Sequence, residues 1–208
     1  MDKLKFFIVP NSYINYLQKW ETKTRGFSRV PNLNYGNDRK QKFVCGVVLN
    51  INNINYFAPI TSYKAQKADN FLIFNSNGNK VLSSIRFNYM FPVPKEIISL
   101  YRFETITDIK YRMLVYQEYR YCLSHQDDIR KLAYRTYKKV LLGKDKGLVH
   151  NSCDFQLLEQ KCIEYSKNKN YEQNKSLSDK IKSAQQKANE INQNREYQNP
   201  KRNKEQEK

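Results

Sequence analysis

Glycine is scarce in this chain, six residues in 208. They never assemble into GxGxxG or GxxxxGK[ST], so the glycine-rich cradles that hold nucleotide phosphates are excluded and no cofactor is expected. Histidine is scarcer still, with two residues and no HExxH or His–Cys cluster, which leaves no recognisable zinc motif. Four cysteines, at positions 45, 122, 153 and 162, lack CxxC spacing. Cys45 lies in an apolar strand pattern and Cys162 on an apolar helix face, so they read as buried thiols rather than disulfides or metal ligands. Carboxylates are outnumbered, 20 Asp+Glu against 37 Lys+Arg, and the Asp127-Asp128 pair is explained as favourable charge at a helix N-terminus. Neither metal-dependent hydrolysis nor a serine or cysteine nucleophile has a motif here. No segment approaches the roughly 20 apolar residues of a membrane span. The opening apolar run, Phe6–Val9, is too short for a signal peptide and stops at Pro10, so the chain is expected to be cytoplasmic.

What the chain has instead is positive charge and tyrosine. The net charge is +17, aromatics make up 13%, and tyrosine alone supplies 16 residues. Such an excess of cations favours a polyanionic partner, nucleic acid or an anionic membrane face. Basic residues interleaved with tyrosines suit single-stranded nucleic acid, where rings stack on bases and cations meet phosphates. A basic surface over a tyrosine-rich core would have the same composition.

Composition changes near Ser166. Residues 168–208 carry 10 Lys+Arg and 6 Asp+Glu and are rich in Asn and Gln, too polar to bury a core of their own. Leu177, Ile181, Ala184, Ala188 and Ile191 keep helical spacing, so a partly helical or disordered tail ending at Pro200 is expected. The body, residues 1–167, keeps +13 of the charge. It opens with a strand, Lys5–Val9, and a helix from about Ser12 to Trp20 capped by Asn11 or Ser12, with Tyr13, Tyr16, Leu17 and Trp20 as its apolar face. A long polar loop, 21–42, follows; such loops in compact domains are often functional. Strands Phe43–Ile51 and Ile54–Ile60 flank Asn52-Asn53, and Asn70–Phe74 and Asn79–Ile85 flank Asn75-Ser76-Asn77-Gly78, two hairpin signals. Met90–Val93 and Ile97–Phe103 can add edge pieces, limited by Pro92 and Pro94. Helices follow: one capped by Thr107 or Asp108 and running to Ser124, with Ile109, Met113, Tyr116 and Leu123 inward; one from Asp127 to Leu142, stopped by Gly143, with Ile129, Leu132, Thr136 and Val140 inward; and one from Asp154 with Phe155, Leu158, Cys162 and Tyr165 at helical spacing. Strands first and helices later imply an α+β domain around a mainly antiparallel sheet.

The chemistry concentrates at Ala58-Pro59-Ile60-Thr61-Ser62-Tyr63-Lys64. Two hydroxyls and an ammonium at a strand exit can grip a phosphate; taken alone, the tetrapeptide Thr-Ser-x-Lys is weak, because most such tetrapeptides are ordinary solvated loops. RNA scission requires no protein nucleophile, because the neighbouring 2′-hydroxyl attacks the phosphate in line. The protein must orient it and stabilise the charge that develops on phosphorus. Thr61, Ser62, Lys64, Lys42 and Tyr35 have the side chains for that work. Each also has a plain structural role open to it: a strand-flanking charge for Lys42, a packed ring for Tyr35, a solvated loop cation for Lys64. His125 and His150, the other acid–base candidates, fall at helix ends, where a cation near carbonyls or a surface position explains them equally well.

These same residues carry a resemblance. Phe43–Leu49 followed by Tyr56-Phe57-Ala58-Pro59-Ile60-Thr61-Ser62-Tyr63-Lys64, then Ile85–Val93, Tyr111-Arg112-Met113-Leu114 and Cys153–Glu159, in that order and spacing, resemble the ToxN/AbiQ family of endoribonuclease toxins from type III toxin–antitoxin systems. The similarity spans about residues 3–166 and omits the tail. It implies a compact, twisted antiparallel sheet or barrel core with surrounding helices, similar to MazF/Kid-type toxins. It implies metal-independent RNA cleavage leaving 2′,3′-cyclic phosphate and 5′-hydroxyl ends, with cellular or phage mRNA as substrate. It also implies inhibition by a repeat pseudoknot antitoxin RNA that the toxin processes and holds in a closed toxin–RNA oligomer, and a role in abortive infection. No DNA or membrane partner is expected. The family's Thr-Ser-x-Lys maps onto Thr61, Ser62 and Lys64, its upstream lysine onto Lys42, and its tyrosine, more loosely, onto Tyr35. Tyr63 stands where the family often has proline. Arg39, Lys40, Tyr63, Lys67 and Arg86, with Arg130, Arg135, Lys138 and Lys139 from the second late helix, are the candidate RNA contacts. A non-catalytic RNA-binding protein is the alternative.

Overall fold

The computed structural model of the chain describes residues 3–33 and 43–198, the side chains of 170–178, 190 and 192–198 apart. Its architecture is α+β, and it divides into two units at Ile163/Glu164.

The first unit is built on an antiparallel sheet. Strand β1 (Lys5–Ile8) leads to helix α1 (Asn11–Arg25), then to the hairpin of β2 (Val44–Ile51) and β3 (Ile54–Thr61), and to a second hairpin, β4 (Asn70–Phe74) and β5 (Val81–Arg86). Two short strands, β6 (Phe91–Pro92) and β7 (Ser99–Leu100), complete it. The lateral order is β4-β5-β3-β2-β1-β7, with β6 also on β3. The order ends on two edge strands, so the sheet is open and the barrel form of the expectation is not realised. Asn52 and Asn53 close the first hairpin at φ 49° and 65°, the left-handed pair that a two-residue turn between twisted strands demands and that asparagine tolerates. Strand β3 is central. One edge pairs with β2 from Ile54 to Pro59, while the other meets β6 at Tyr56-Phe57 and β5 at Ile60-Thr61. Gly46, opposite Phe57, has no room for a side chain: a Cβ there would overlap the Phe57 ring.

Helices α2 (Ile109–Ser124), α3 (Gln126–Leu142), α4 (Lys146–His150) and α5 (Phe155–Gln198) follow. Asp108 caps α2 by accepting from the Tyr111 N–H, Asp145 caps α4 through Leu148, and Asp154 accepts from Leu157 at the start of α5. Gly143 ends α3 at φ 67°, a left-handed stop suited to glycine. Within the second unit, Ile181 and Ile191 are exposed, so the aliphatic stripe expected there buries nothing at those positions.

Three expectations change. Helix α1 starts at Asn11 with Pro10 as its cap, whose carbonyl accepts from Tyr13 and Ile14, and it runs five residues past Trp20, into the segment expected to be loop. Its buried face is Tyr13, Ile14, Leu17 and Glu21, while Tyr16 and Trp20 are half-buried. In α2 the inward stripe is Val115, Glu118 and Cys122; Ile109, Met113 and Tyr116 are exposed and Leu123 is half-buried. Helix α4 is an addition to the expected elements, capped by Asp145. For α1 and α2 the common cause is buried charge. A hydrophobic pattern assigns Glu21 and Glu118 to solvent, yet both face the interior.

The Glu21 carboxylate, fully buried, accepts from Arg25 Nη1 (3.0 Å), Ser28 Oγ (2.7 Å) and the backbone N–H groups of Arg29 (2.6 Å), Val30 (3.1 Å) and Asp154 (2.7 Å). Arg25 also donates to the carbonyls of Val149, His150 and Ser152. One carboxylate thus joins the end of α1, the 26–30 turn and the start of α5. Removing it orphans buried donors and an arginine, so E21A should lose about 3–5 kcal/mol of stability, measurable as a large drop in the urea midpoint. Glu118 has no such partner set. Burial raises its carboxyl above the usual range, with the nearby Ser83 hydroxyl opposing. The native state therefore holds this proton more tightly than the unfolded chain. Its contribution to stability is fully present below the unfolded value of about 4.3 and is lost as pH rises through the raised native value. E118Q should accordingly be more stable than wild type at neutral pH and should show a flatter stability profile from about pH 4.3 upward in thermal melts.

Candidate functional site

Strand β3 delivers the Thr61–Lys64 segment to the protein surface. Thr61 still pairs with Ser84 of β5, and the chain then leaves the sheet. Thr61 Oγ1 lies 3.5 Å from Ser84 Oγ and accepts from the Tyr63 N–H at 3.4 Å, while Ser84 Oγ donates to the Tyr63 carbonyl at 2.6 Å. These two hydroxyls therefore shape the exit. Ser62 and Lys64 emerge exposed, and no hydrogen bond or ion pair engages either side chain among the described residues.

The loop behind them is held by one buried amide. Asn70 Oδ1 accepts from the Lys67 N–H (2.8 Å) and from Gln66 Nε2 (3.1 Å), and its Nδ2 donates to the Ala65 carbonyl (2.9 Å). The Phe87 N–H reaches the Asp69 carbonyl at 2.9 Å, so the loop's end is fastened to the turn after β5.

Tyr63 faces Arg86. The guanidinium carbon lies 5.0 Å from the Tyr63 ring centre and 4.7 Å from that of Tyr89, and Lys67 Nζ lies 5.6 Å from the Tyr63 ring. Arg86 Nη2 is 4.0 Å from Asp69 Oδ2. A guanidinium between two rings is held by cation–π attraction as well as by its distant carboxylate. Beyond this stack opens a cleft of about 470 Å³, walled by Lys67, Arg86 and Lys139, by Asn88, and by the carboxylates Asp69 and Asp145. The side-chain Oδ1 of Asn88, a residue only 1% exposed, has no hydrogen-bond partner.

The fold brings some of the expected residues together and separates others. Thr61, Ser62, Tyr63, Lys64, Lys67 and Arg86 form one neighbourhood, and Lys139 joins it across the cleft. Arg130 lines a different cleft. Arg135 and Lys138 sit exposed on α3, Lys138 over the Tyr134 ring. Tyr35, Arg39, Lys40 and Lys42 lie outside the described residues. His125 stacks on Tyr121 at 4.1 Å, with Nδ1 2.9 Å from the Tyr121 carbonyl, and the His150 ring packs against Phe27. Both histidines have structural surroundings. No three His, Cys, Asp or Glu side chains converge as metal ligands would among the described residues. The four cysteines are buried, and burial pushes the Cys162 thiol up to about 11, which suits packing and not nucleophilic attack.

A strand exit that shows a free serine and lysine, backed by a tyrosine–arginine stack, is the setting in which the comparisons with known proteins gain meaning. The family model for the toxin ToxN of type III toxin–antitoxin systems matches residues 5–163. The chain belongs to the ToxN family. Endoribonuclease AbiQ of Lactococcus lactis subsp. lactis is 31% identical over 182 residues, covering 81% of this chain and 93% of AbiQ; AbiQ is a lactococcal anti-phage endoribonuclease of a type III toxin–antitoxin system. Endoribonuclease ToxN of Pectobacterium atrosepticum is 27% identical over 172 residues, covering 79% of this chain and 95% of that one. A solved type III toxin structure, whose toxin is selectively inhibited by a non-coding RNA pseudoknot, superposes with a TM-score of 0.69 at 26% identity, covering 79% of this chain and 99% of the other. The match ends where the first unit ends.

Sequence reasoning missed Ser84, Asn70 and Asn88. Their only signal is a polar residue in or beside a strand, common enough to pass unremarked. N70A should leave the sheet intact but free the loop, lowering the activity of the site roughly tenfold or more, since a 1 Å misplacement can cost about 10²-fold. Unchanged turnover in N70A, with circular dichroism like wild type, would contradict this positioning role.

Proposed function

We propose that the chain is a metal-independent, sequence-preferring endoribonuclease toxin acting in the cytoplasm, and that Thr61, Ser62 and Lys64 form the centre of its site. In this mechanism the 2′-hydroxyl gives up its proton to solvent and attacks the adjacent phosphorus in line as the bond to the 5′-oxygen breaks, so that the products carry 2′,3′-cyclic phosphate and 5′-hydroxyl ends. Lys64 places its ammonium against the non-bridging oxygens as charge develops and supplies a proton to the departing 5′-oxygen. Ser62 Oγ donates to a phosphate oxygen or orients the attacking hydroxyl. Thr61 keeps the exit in shape and lends its hydroxyl to the same phosphate, with Lys42 and Tyr35 completing the pocket. Tyr63 and Arg86 offer a stacked, cationic surface on which a neighbouring base and phosphate can rest.

The observation that carries this reading is the exposure of Ser62 and Lys64 at the end of β3, on a loop anchored by Asn70. The endoribonuclease names of the relatives and their match through residues 5–163 support it. By the same kinship we propose a repeat pseudoknot RNA as inhibitor, processed by the toxin and held with it in a closed assembly. We also propose cellular or phage mRNA as substrate, an abortive-infection role against phage, and a sheet related to that of MazF/Kid-type toxins.

Incubation with RNA in EDTA should give fragments ending in cyclic phosphate. K64A should cut at least about 10²–10³-fold more slowly, the usual loss on removing one charge-stabilising donor. It should keep most of its RNA affinity, because many other cations contribute to binding. K64A cutting at the native rate would remove Lys64 from the mechanism. Intact RNA with the wild-type protein, despite tight binding, would favour the non-catalytic RNA-binding reading.

A further inference from the structure

The far end of β3 holds a second cleft, of about 400 Å³, whose charged lining among the described residues is positive: Lys3, Lys5, Lys95 and Arg130, with Asn50 and Asn55 also on its wall. This composition follows from the fold. In β1 and the two residues before it, side chains alternate, so that Leu4 and Phe6 are buried while Lys3 and Lys5 stay exposed on the other side, the period of two of an extended strand. Pro94 ends the pairing around β6 and turns Lys95 out in the next 3₁₀ turn. Arg130 enters from α3, its side chain only 15% exposed. Asp127 Oδ1 lies 3.8 Å from Arg130 Nη1, on a side chain that is 82% exposed. The Asn50 and Asn55 amides are joined to each other at 2.6 Å. The cleft beside the Thr61–Lys64 exit is different, since Asp69 and Asp145 offset its cations.

Three exposed lysines gathered around one cleft repel one another, and an anion seated among them relieves that repulsion. The cleft and the proposed cutting site occupy opposite ends of a single strand. Asn55 and Thr61 are six residues apart on β3, about 20 Å at the rise of an extended chain. We infer that this cleft is a second phosphate-binding site, which holds the sugar–phosphate backbone of a single-stranded RNA several nucleotides away from the bond being cut. This inference rests on the proposed function for the choice of RNA as the polyanion. The site supplies affinity and register, and Lys64 supplies chemistry.

The test uses the full chain carrying K64A, so that RNA survives the measurement. Binding of a 20-nucleotide single-stranded RNA is followed by fluorescence anisotropy across a salt series, with and without K3A/K5A/K95A. The expected result is at least tenfold weaker binding near physiological salt and a log–log salt slope reduced by about 2, from three lost contacts at about 0.7 each. K3R/K5R/K95R should restore both, showing that charge and not packing is at stake. In the cutting protein, the alanine triple should raise KM for the long RNA several-fold more than for a trinucleotide-length RNA. Unchanged affinity and slope in a triple variant that melts like its parent would overturn the inference. So would loss of binding to phosphatidylserine vesicles with RNA binding intact, which would assign the cleft to a membrane surface. The two readings fail separately. A wild-type protein that cuts no RNA, while the triple still flattens the salt slope, sinks only the nuclease reading. A protein that cuts RNA but shows no change in the triple sinks only the cleft.

Discussion

The buried Glu21 carboxylate is the interaction on which the rest of this fold depends. A fully desolvated charge is tolerable only when its oxygens are saturated with donors, and here five donors from three segments supply that. Because those donors are backbone groups and neighbouring side chains of distant segments, satisfying the charge forces the chain into one arrangement. The turn after α1 is drawn back over the helix, and the N-terminus of α5 is brought to the same point.

The constraint reaches the site by contiguous hydrogen bonds. Arg25, paired with Glu21, holds the carbonyls of residues 149, 150 and 152. From the same segment, the Asn151 carbonyl accepts from Asn88 Nδ2, and the Cys153 N–H donates to the Asn88 carbonyl. Asn88 lies two residues beyond Arg86, whose guanidinium backs Tyr63. The surface proposed to meet the phosphate is thus held by hydrogen bonds behind and open in front. Ser84, Asn70 and the Tyr63–Arg86–Tyr89 stack hold the backbone, while Ser62 and Lys64 are left to solvent. This is the division of labour a site needs when the attacking group belongs to the substrate: the protein contributes position and charge, and few of its own atoms need to move.

The two clefts lie at opposite ends of one strand. Strand β3 ends at a mixed-charge cleft with hydroxyls and a clamped arginine, and begins near one whose charged lining among the described residues is cationic. Positive charge is distributed over the whole sequence, so composition points to a polyanion without saying where it lies. Local alternation in β1, the turn after Pro94 and the position of Arg130 on α3 decide which cations gather.

Much of this was legible in the sequence because the signals are local. Asn52-Asn53 requires a left-handed turn, Gly143 a helix stop, and Asp108 a cap, whatever the surroundings. Alternation marks the strands, and the run Thr61-Ser62-Tyr63-Lys64 carries the family likeness only together with Phe43–Leu49, Ile85–Val93, Tyr111–Leu114 and Cys153–Glu159 in order and spacing. The phase of α2 and the length of α1 were not legible, since they turn on Glu21 and Glu118 being inside, and the five residues of α4 are too few for a periodic signal. A buried carboxylate looks like a surface one until its partners are known, and those of Glu21 come from as far away as Asp154. The division of roles at the site was equally out of reach. Thr61 and Ser62 are adjacent hydroxyls of like chemistry, and only the pairing of β3 with β5 turns Thr61 toward Ser84 and leaves Ser62 exposed. The sequence by itself determined the fold class, the basic character and the chemical types at the strand exit, because propensity, charge and motif are properties of short stretches. The tertiary structure decided which of those groups are held and which are free, because that depends on hydrogen-bond partners supplied by residues far away in the chain.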